Sequence, residues 1–226
     1  MTSTPFHIRE LTSPEDVQLR QIADILYEGF KDVDPISSFA CGDDPALMRE
    51  FHHATMAGAV IGGHVFVAET ISSPKKIIGC VAFFGPGSDV LGDEEQLSQG
   101  FNNFLSKLSP DVVDWWMGFM PKFAAMSDAI LGPGVKESGW KMNCLAVSRE
   151  FRRKGVGTAL VNAGEDLARK DKNALIFEGG SEGTELYCRM EYDLVGSQSI
   201  GGDADPKFKS PMEKLTLNIF RKDFRC

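Results

Sequence analysis

Arg152-Arg153-Lys154-Gly155-Val156-Gly157-Thr158 is the stretch of this 226-residue chain whose residue types and spacing best suit chemistry. An apolar run, Cys144 to Val147, leads into it and an amphipathic run follows. A strand that turns directly into a helix points several backbone N–H groups at one place. The positive end of the helix dipole adds to them. Glycine at 155 and 157 removes Cβ atoms that would keep an anion off the main chain. The matching ligand is a phosphate or pyrophosphate. A tight turn with a solvated basic face explains the same residues without any ligand. No Walker lysine is present, and Leu160 stands where a dinucleotide fingerprint needs its third glycine, so neither nucleotide-binding turn fits.

The remaining reactive side chains are scattered. Cys41, Cys80, Cys144, Cys188 and Cys226 include no Cys-x-x-Cys pair, which predicts reduced thiols in an intracellular, cytoplasmic protein. His52, His53 and His64 form no ligand set, so no metal is expected. A formal net charge of −8 argues against nucleic acid and anionic membrane as partners. No apolar run has membrane-spanning length, and residues 1–9 lack the apolar core of a secretory signal.

Period and punctuation outline the elements that must position the turn. Phe6 to Arg9 alternates as a short strand. Ser13-Pro14-Glu15-Asp16 opens a helix that carries Leu19, Ile22, Ala23, Leu26 and Phe30 on one face. Asp32-Val33-Asp34-Pro35 ends it, and Asp44-Pro45 starts another helix to about Val60. His64–Thr70 and Ile77–Phe84 form a hairpin. Residues 86–139 do not continue the strand order. Glu94–Leu108, Val112–Met120 and Phe123–Leu131 have helical patterns separated by Pro110 and Pro121. They read as a helical insertion in one domain spanning 1–226. Trp140–Val147 is a strand, Gly155–Lys170 a helix, Ala174–Glu178 a strand and Gly183–Arg189 a short helix. Tyr192–Ser197 and Met212–Phe220 are strands around a loop at Asp203–Ser210.

Two segments, in this order, resemble the GNAT superfamily of acyl-CoA-dependent N-acyltransferases. The first is Leu145-Ala146-Val147 followed by Arg152-x-x-Gly155-x-Gly157. The second is Leu186-Tyr187-Cys188-Arg189-Met190-Glu191-Tyr192. The helical insertion resembles one seen in some fungal members. The resemblance implies an α+β fold, with a mostly antiparallel sheet of about seven strands flanked by helices. Its fourth and fifth strands would splay apart around acetyl-CoA, the co-substrate. Leu145, Ala146 and Val147 would line the pantetheine. Backbone N–H groups of Arg153, Lys154, Gly155, Val156, Gly157 and Thr158 would hold the pyrophosphate, assisted by the charge of Arg152, Arg153 and Lys154. Tyr187 would lie near the thioester sulfur as general acid; apart from the family it is a half-buried helix aromatic.

Glu178 closes the apolar run Leu175-Ile176-Phe177, where a carboxylate can serve as a base through water or as a structural hydrogen-bond partner. Lys141 and Asn143 stand where some members carry a glutamate base. Glu191-Tyr192 replaces the usual Gly-Phe, and glutamate is strained at positive φ, so a different local path is expected there. Asp32, Asp34, Asp43 and Asp44 could attract a cationic amine or simply cap turns. Trp115, Trp116, Phe119 and Phe123 could form a lid or simply pack. The expected activity is direct acetyl transfer, in a ternary complex, to a small-molecule or peptide primary amine. The alternative is a non-catalytic acyl-CoA sensor or scaffold. A monomer or homodimer is expected.

Overall fold

The computed structural model describes residues 5–200 and 215–225. Its strands are β1 (Phe6–Glu10), β2 (His64–Thr70), β3 (Ile77–Phe84), β4 (Trp140–Val147), β5 (Ala174–Gly179), β6 (Asp193–Ile200) and β7 (Leu215–Asp223). They form one sheet in the order β1-β2-β3-β4-β5-β7-β6. Every neighbouring pair is antiparallel except β4 and β5. β3 is buried along its whole length, because helices cover both faces of the sheet there and a strand so placed must be apolar throughout.

The helices are α1 (Asp16–Phe30), α2 (Pro35–Ala40), α3 (Pro45–Gly62), α4 (Glu94–Ser98), α5 (Phe101–Leu105), α6 (Pro110–Leu131), α7 (Val156–Lys170) and α8 (Thr184–Arg189). On one face of the sheet, Ile78, Phe83, Leu175 and Phe177 pack against Val156, Leu160 and Val161 of α7. On the other, Val65, Val67, Cys80 and Phe84 pack against Leu19, Ile22 and Leu26 of α1 and Met56 and Ala59 of α3. Leu160 and Ile22 are fully buried, so truncating either to alanine costs about 2–5 kcal/mol. No described helix is long and apolar enough to cross a membrane.

One local expectation changes, and two open alternatives resolve. Pro121 does not divide two helices: α6 runs through it from Pro110 to Leu131. The carbonyl that loses its partner to a helical proline is four residues earlier. That residue, Met117, is 74% exposed, on the solvent side of α6. Between Asp32 and Asp44 the chain forms the short helix α2. Asp34 and Asp44 accept N–H bonds at the starts of α2 and α3, which is the capping role of such residues. The aromatic group of α6 is interior packing. Trp115, Trp116 and Phe119 are buried with Ala40, Cys41 and Met48, and Trp116 Nε1 donates to the Ala40 carbonyl at 3.0 Å. The loop expected at Asp203–Ser210 and the first residues of the strand expected from Met212 lie outside the described residues.

His52 of α3 is 2% exposed, between Phe30 and Phe51. Neither ring nitrogen has a hydrogen-bond partner, and burial pushes its pKa down to about 3. The unfolded chain takes up this proton near pH 6.5, whereas the folded chain resists it until far lower pH. His52 therefore leaves stability intact above that value and removes it as the pH falls from there towards its folded pKa. Wild type should lose about 3 kcal/mol more than His52→Phe between about pH 7 and about pH 4. Urea unfolding of both proteins at each pH measures this, and parallel curves would refute it.

Candidate active site at the split between β4 and β5

β4 and β5 share only two ladder pairs, Trp140 with Leu175 and Lys141 with Ile176. Beyond them the strands part. β5 stays paired with β7 as far as Gly179, and β4 stays paired with β3 as far as Val147, so each strand turns its other edge to the gap. The divergence has a local cause on β4. The β3–β4 register shifts between Cys80 and Ala82, where one residue of β3 faces two of β4. Within the shift Cys144 takes a left-handed φ of 56°. An extra residue of this kind bends its strand.

The basic turn stands at the end of β4. Arg153 and Gly155 both have positive φ, 61° and 82°, and Gly155 is the left-handed residue at which α7 starts, without a side-chain cap. The first helical bond runs from Ala159 N–H to the Gly155 carbonyl at 3.0 Å. Among the described residues, the six N–H groups from Arg153 to Thr158 find no backbone acceptor. Such donors at the positive end of a 15-residue helix form an anion site. A Cβ added at Gly157 would lie 3.6 Å from Leu186 Cδ2 and 3.8 Å from Val147 Cγ2, so the first turn of α7 sits between the end of β4 and α8. Arg152 Nε donates to the Val147 carbonyl at 3.0 Å, pinning the turn to the strand. Arg153 pairs with Glu185 at 3.5 Å with both side chains largely exposed, a contact that contributes little.

Tyr187 of α8 is 8% exposed. Its ring packs edge-on to Phe177 at 4.6 Å and tilted against Phe220 at 4.9 Å. Burial pushes its pKa up to about 12, so it is a neutral hydrogen-bond donor through the physiological range. Glycines hold this ring in place. A Cβ at Gly183 would lie 2.5 Å from Tyr187 Cε2 and 3.1 Å from Cζ. Gly183 itself has an ordinary φ of −84°, so Gly183→Ala tests crowding without backbone strain. It should shift the tyrosine ring, reduce turnover about tenfold and cost about 1–3 kcal/mol of stability through overpacking, leaving the fold intact. Steady-state kinetics beside thermal melts check this, and wild-type turnover would show that the seat is not needed. Glu191 has φ 63°, so the chain keeps the path for which a glycine was expected. The strain is held by its surroundings: Tyr192, buried against Phe177, anchors the following residue.

Glu178 follows Phe177 on β5, so its side chain leaves the opposite face of the sheet. Its Oε1 accepts hydrogen bonds from Ser127 Oγ of α6 and from Lys136 Nζ, the latter at 2.7 Å. Nearby on β4, Lys141 is buried and donates to the Glu137 carbonyl at 3.3 Å. Desolvation lowers its pKa, and Lys136 adds to that. Cys144 Sγ donates to Asn143 Oδ1 at 2.8 Å. A surface cavity of about 440 Å³ lies away from the split, lined by Arg20, Asp24, Arg49, Glu50, His53 and Lys107. Its charges are already paired: Arg49 with Asp24, Lys107 with Glu50, and Arg20 and His53 with Asp16. It offers no reactive group comparable to those of the split. Among the described residues, no group of three or more His, Cys, Asp or Glu is arranged to hold a metal ion.

Residues 36–181 match the model of the acetyltransferase (GNAT) family. The chain belongs to that family. No curated protein sequence matches it, but solved structures share its fold. The polyamine N-acetyltransferase of Drosophila melanogaster, an enzyme that catalyses formation of N-acetylagmatine, is 14% identical with a TM-score of 0.62. The match covers 97% of this chain and 100% of that one. The mosquito arylalkylamine N-acetyltransferase like 5b is 17% identical with a TM-score of 0.60, again over 97% and 100% of the two chains. The mixed α+β fold, with seven mostly antiparallel strands and a parallel, barely paired β4–β5 step, is the GNAT fold.

In this GNAT chain Tyr187 and Val156, the first residue of α7, share one apolar cluster, with Leu145 and Val147 of β4 packed against it. Glu178 borders the split from the other face. Sequence reasoning misses four contributors: the Cys144 bulge, Gly183, Ser127 and Lys136. Gly183 alone carries a local signal, as the last glycine of Gly179-Gly180-Ser181-Glu182-Gly183.

Proposed function

We propose that the chain is an N-acetyltransferase that moves an acetyl group from acetyl-CoA to a primary amine by direct transfer in a ternary complex. One N-acetyltransferase domain then spans 1–226, with a helical insertion at about 86–139. The observation that carries this reading is the set of six unpaired N–H groups, Arg153 to Thr158, beside an open strand edge. The residues present fit the diphosphate: nothing lies within 4 Å of a Cβ built on Gly155, and Arg152, Arg153 and Lys154 are exposed around the turn. Main-chain groups of β4 from Leu145 to Val147 would bond an extended pantetheine as an added strand does.

An alkylamine is protonated at neutral pH, with a pKa of roughly 10, so a group at the split must accept its proton before it attacks. Glu178 is the carboxylate there. Tyr187 is the donor that steadies the departing thiolate. The polyamine and arylalkylamine enzymes of the same fold support a small amine as acceptor. A non-catalytic acyl-CoA sensor is the second reading, favoured by one observation: Glu178 already holds Lys136 and Ser127.

Thiol release from acetyl-CoA across a panel of amines tests the proposal, with thermal protection by CoA, desulfo-CoA and ATP measured alongside. Acceptor-dependent release with protection by CoA is expected. Protection without release on any amine would favour the sensor. Equal protection by ATP would sink the coenzyme A assignment.

A further inference from the structure

Lys136 lies between α6 and β4, and its ammonium is 2.7 Å from Glu178 Oε1. The two side chains are 17% and 11% exposed. Ser127 Oγ donates to the same carboxylate oxygen, and the ammonium stands 5.5 Å from the centre of the Phe123 ring. A carboxylate and an aromatic face are what a protein uses to recognise a primary ammonium. Here both are already engaged by the chain's own amine. Its position along the split follows from strand register. Lys141 pairs with Ile176, so two residues further on Glu178 is level with Asn143, next to the Cys144 bulge. Lys136 therefore places a primary amine beside the point where β4 and β5 part. Lys222 is as buried, against Glu165 and the Tyr192 ring, but it pairs with Leu175 at the closed end of β5; the surface pairs Lys76 with Glu150 and Lys107 with Glu50 are far more exposed.

We propose that Lys136 is a resident acceptor. With acetyl-CoA present and no competing amine, its own ε-amino group is acetylated, and a free acceptor must displace it from Glu178. The inference rests on the acetyl-transfer reading above. The ammonium gives one proton to the Glu178 carboxylate, which passes it to water. The freed Nζ lone pair forms a bond to the acetyl carbonyl carbon, and the carbon–sulfur bond breaks with its electron pair going to sulfur. The remaining extra proton on nitrogen is lost to solvent, and the thiolate takes one from solvent while Tyr187 hydrogen-bonds it. The products are Nε-acetylated Lys136 and free CoA thiol, with no change of oxidation state. Acetylation removes the lysine's charge and leaves Glu178 without a counter-ion, which an incoming acceptor ammonium can supply.

Peptide mass spectrometry over time, on the full chain incubated with acetyl-CoA alone, tests this. Lys136 should become acetylated about a hundredfold faster than exposed Lys75 or Lys154, because its amine is held in place. Adding a turned-over amine should slow that labelling. Lys136→Arg, which keeps the ion pair, should remove the fast label, Glu178→Gln should slow it, and urea-unfolded chain should label all lysines alike. Labelling of Lys136 no faster than that of exposed lysines overturns the proposal. Acetylation of panel amines with Lys136 unmodified also overturns it, while leaving the acetyltransferase reading intact. Absence of any transfer together with absence of thermal protection by CoA removes both.

Discussion

Gly157→Glu is expected to raise the dissociation constant for coenzyme A about a hundredfold, close to 2.7 kcal/mol, with the fold retained. Size is not the reason. The first side-chain carbon would meet Leu186 and Val147 at 3.6 and 3.8 Å, ordinary contact distances, and Gly157 is already helical. The cause is charge. A carboxylate in the first turn of α7 lies within a few ångströms of where the diphosphate is proposed to bind. At effective dielectric constants between protein surface and water, like charges so placed repel by roughly 1–4 kcal/mol each. The new side chain also competes for the unpaired N–H groups. Gly157→Ala separates the effects: it adds bulk without charge, should bind CoA nearly as well as wild type, and should gain about 1 kcal/mol of helix stability. Calorimetric titration of CoA into all three proteins measures this. Equal affinities for glutamate and glycine would place the diphosphate elsewhere.

Tyr187→Phe is expected to lower kcat about a hundredfold while leaving the acceptor KM within about twofold, the pattern of a donor used only in the transition state. The ring is what packs against Phe177 and Phe220, so phenylalanine should keep the fold. The tyrosine's role follows from its acidity. Burial raises its pKa to about 12, whereas an ordinary thiol has a pKa of about 8.5. Complete proton transfer from this phenol to a thiolate is uphill by several kcal/mol. Tyr187 is therefore suited to hydrogen-bond the developing thiolate, with solvent supplying the proton. No alkaline fall in kcat from this group is expected below about pH 11. The sign for stability is the same. The folded pKa is raised, so the contribution is intact below the unfolded value of about 10 and is lost as the pH climbs towards the folded one. Full turnover by the phenylalanine variant at every pH would remove Tyr187 from the reaction.

The turn is legible in the sequence because it is local: glycine at a left-handed position and consecutive basic residues need no distant partner to be recognised. α1, α3, α7 and the β2–β3 hairpin are legible for the same reason, each carrying its own period and punctuation. The Cys144 bulge is not, since cysteine carries no preference for a left-handed conformation and the register shift depends on β3 across the ladder. Glu178 is visible as a carboxylate, but its partners come from Ser127 and Lys136, 51 and 42 residues away. Their meeting depends on how α6 docks, which no local pattern encodes. Pro121 misleads because an exposed proline can be carried on the wet side of a helix. Glu191 misleads because packing of Tyr192 outweighs the preference of one residue.

The two ladder pairs between β4 and β5 have a mechanical meaning. β1 to β4 form one plate, and β5, β7 and β6 form another, with the hydrogen-bonded seam between them two rungs long. A ligand laid along the opening supplies further rungs, so the protein should take part of its rigidity from the molecule it binds. Amide exchange along the rims of the seam would register that gain as a slowing confined to the facing edges, while β1 and β2, remote from the opening, keep their own pace.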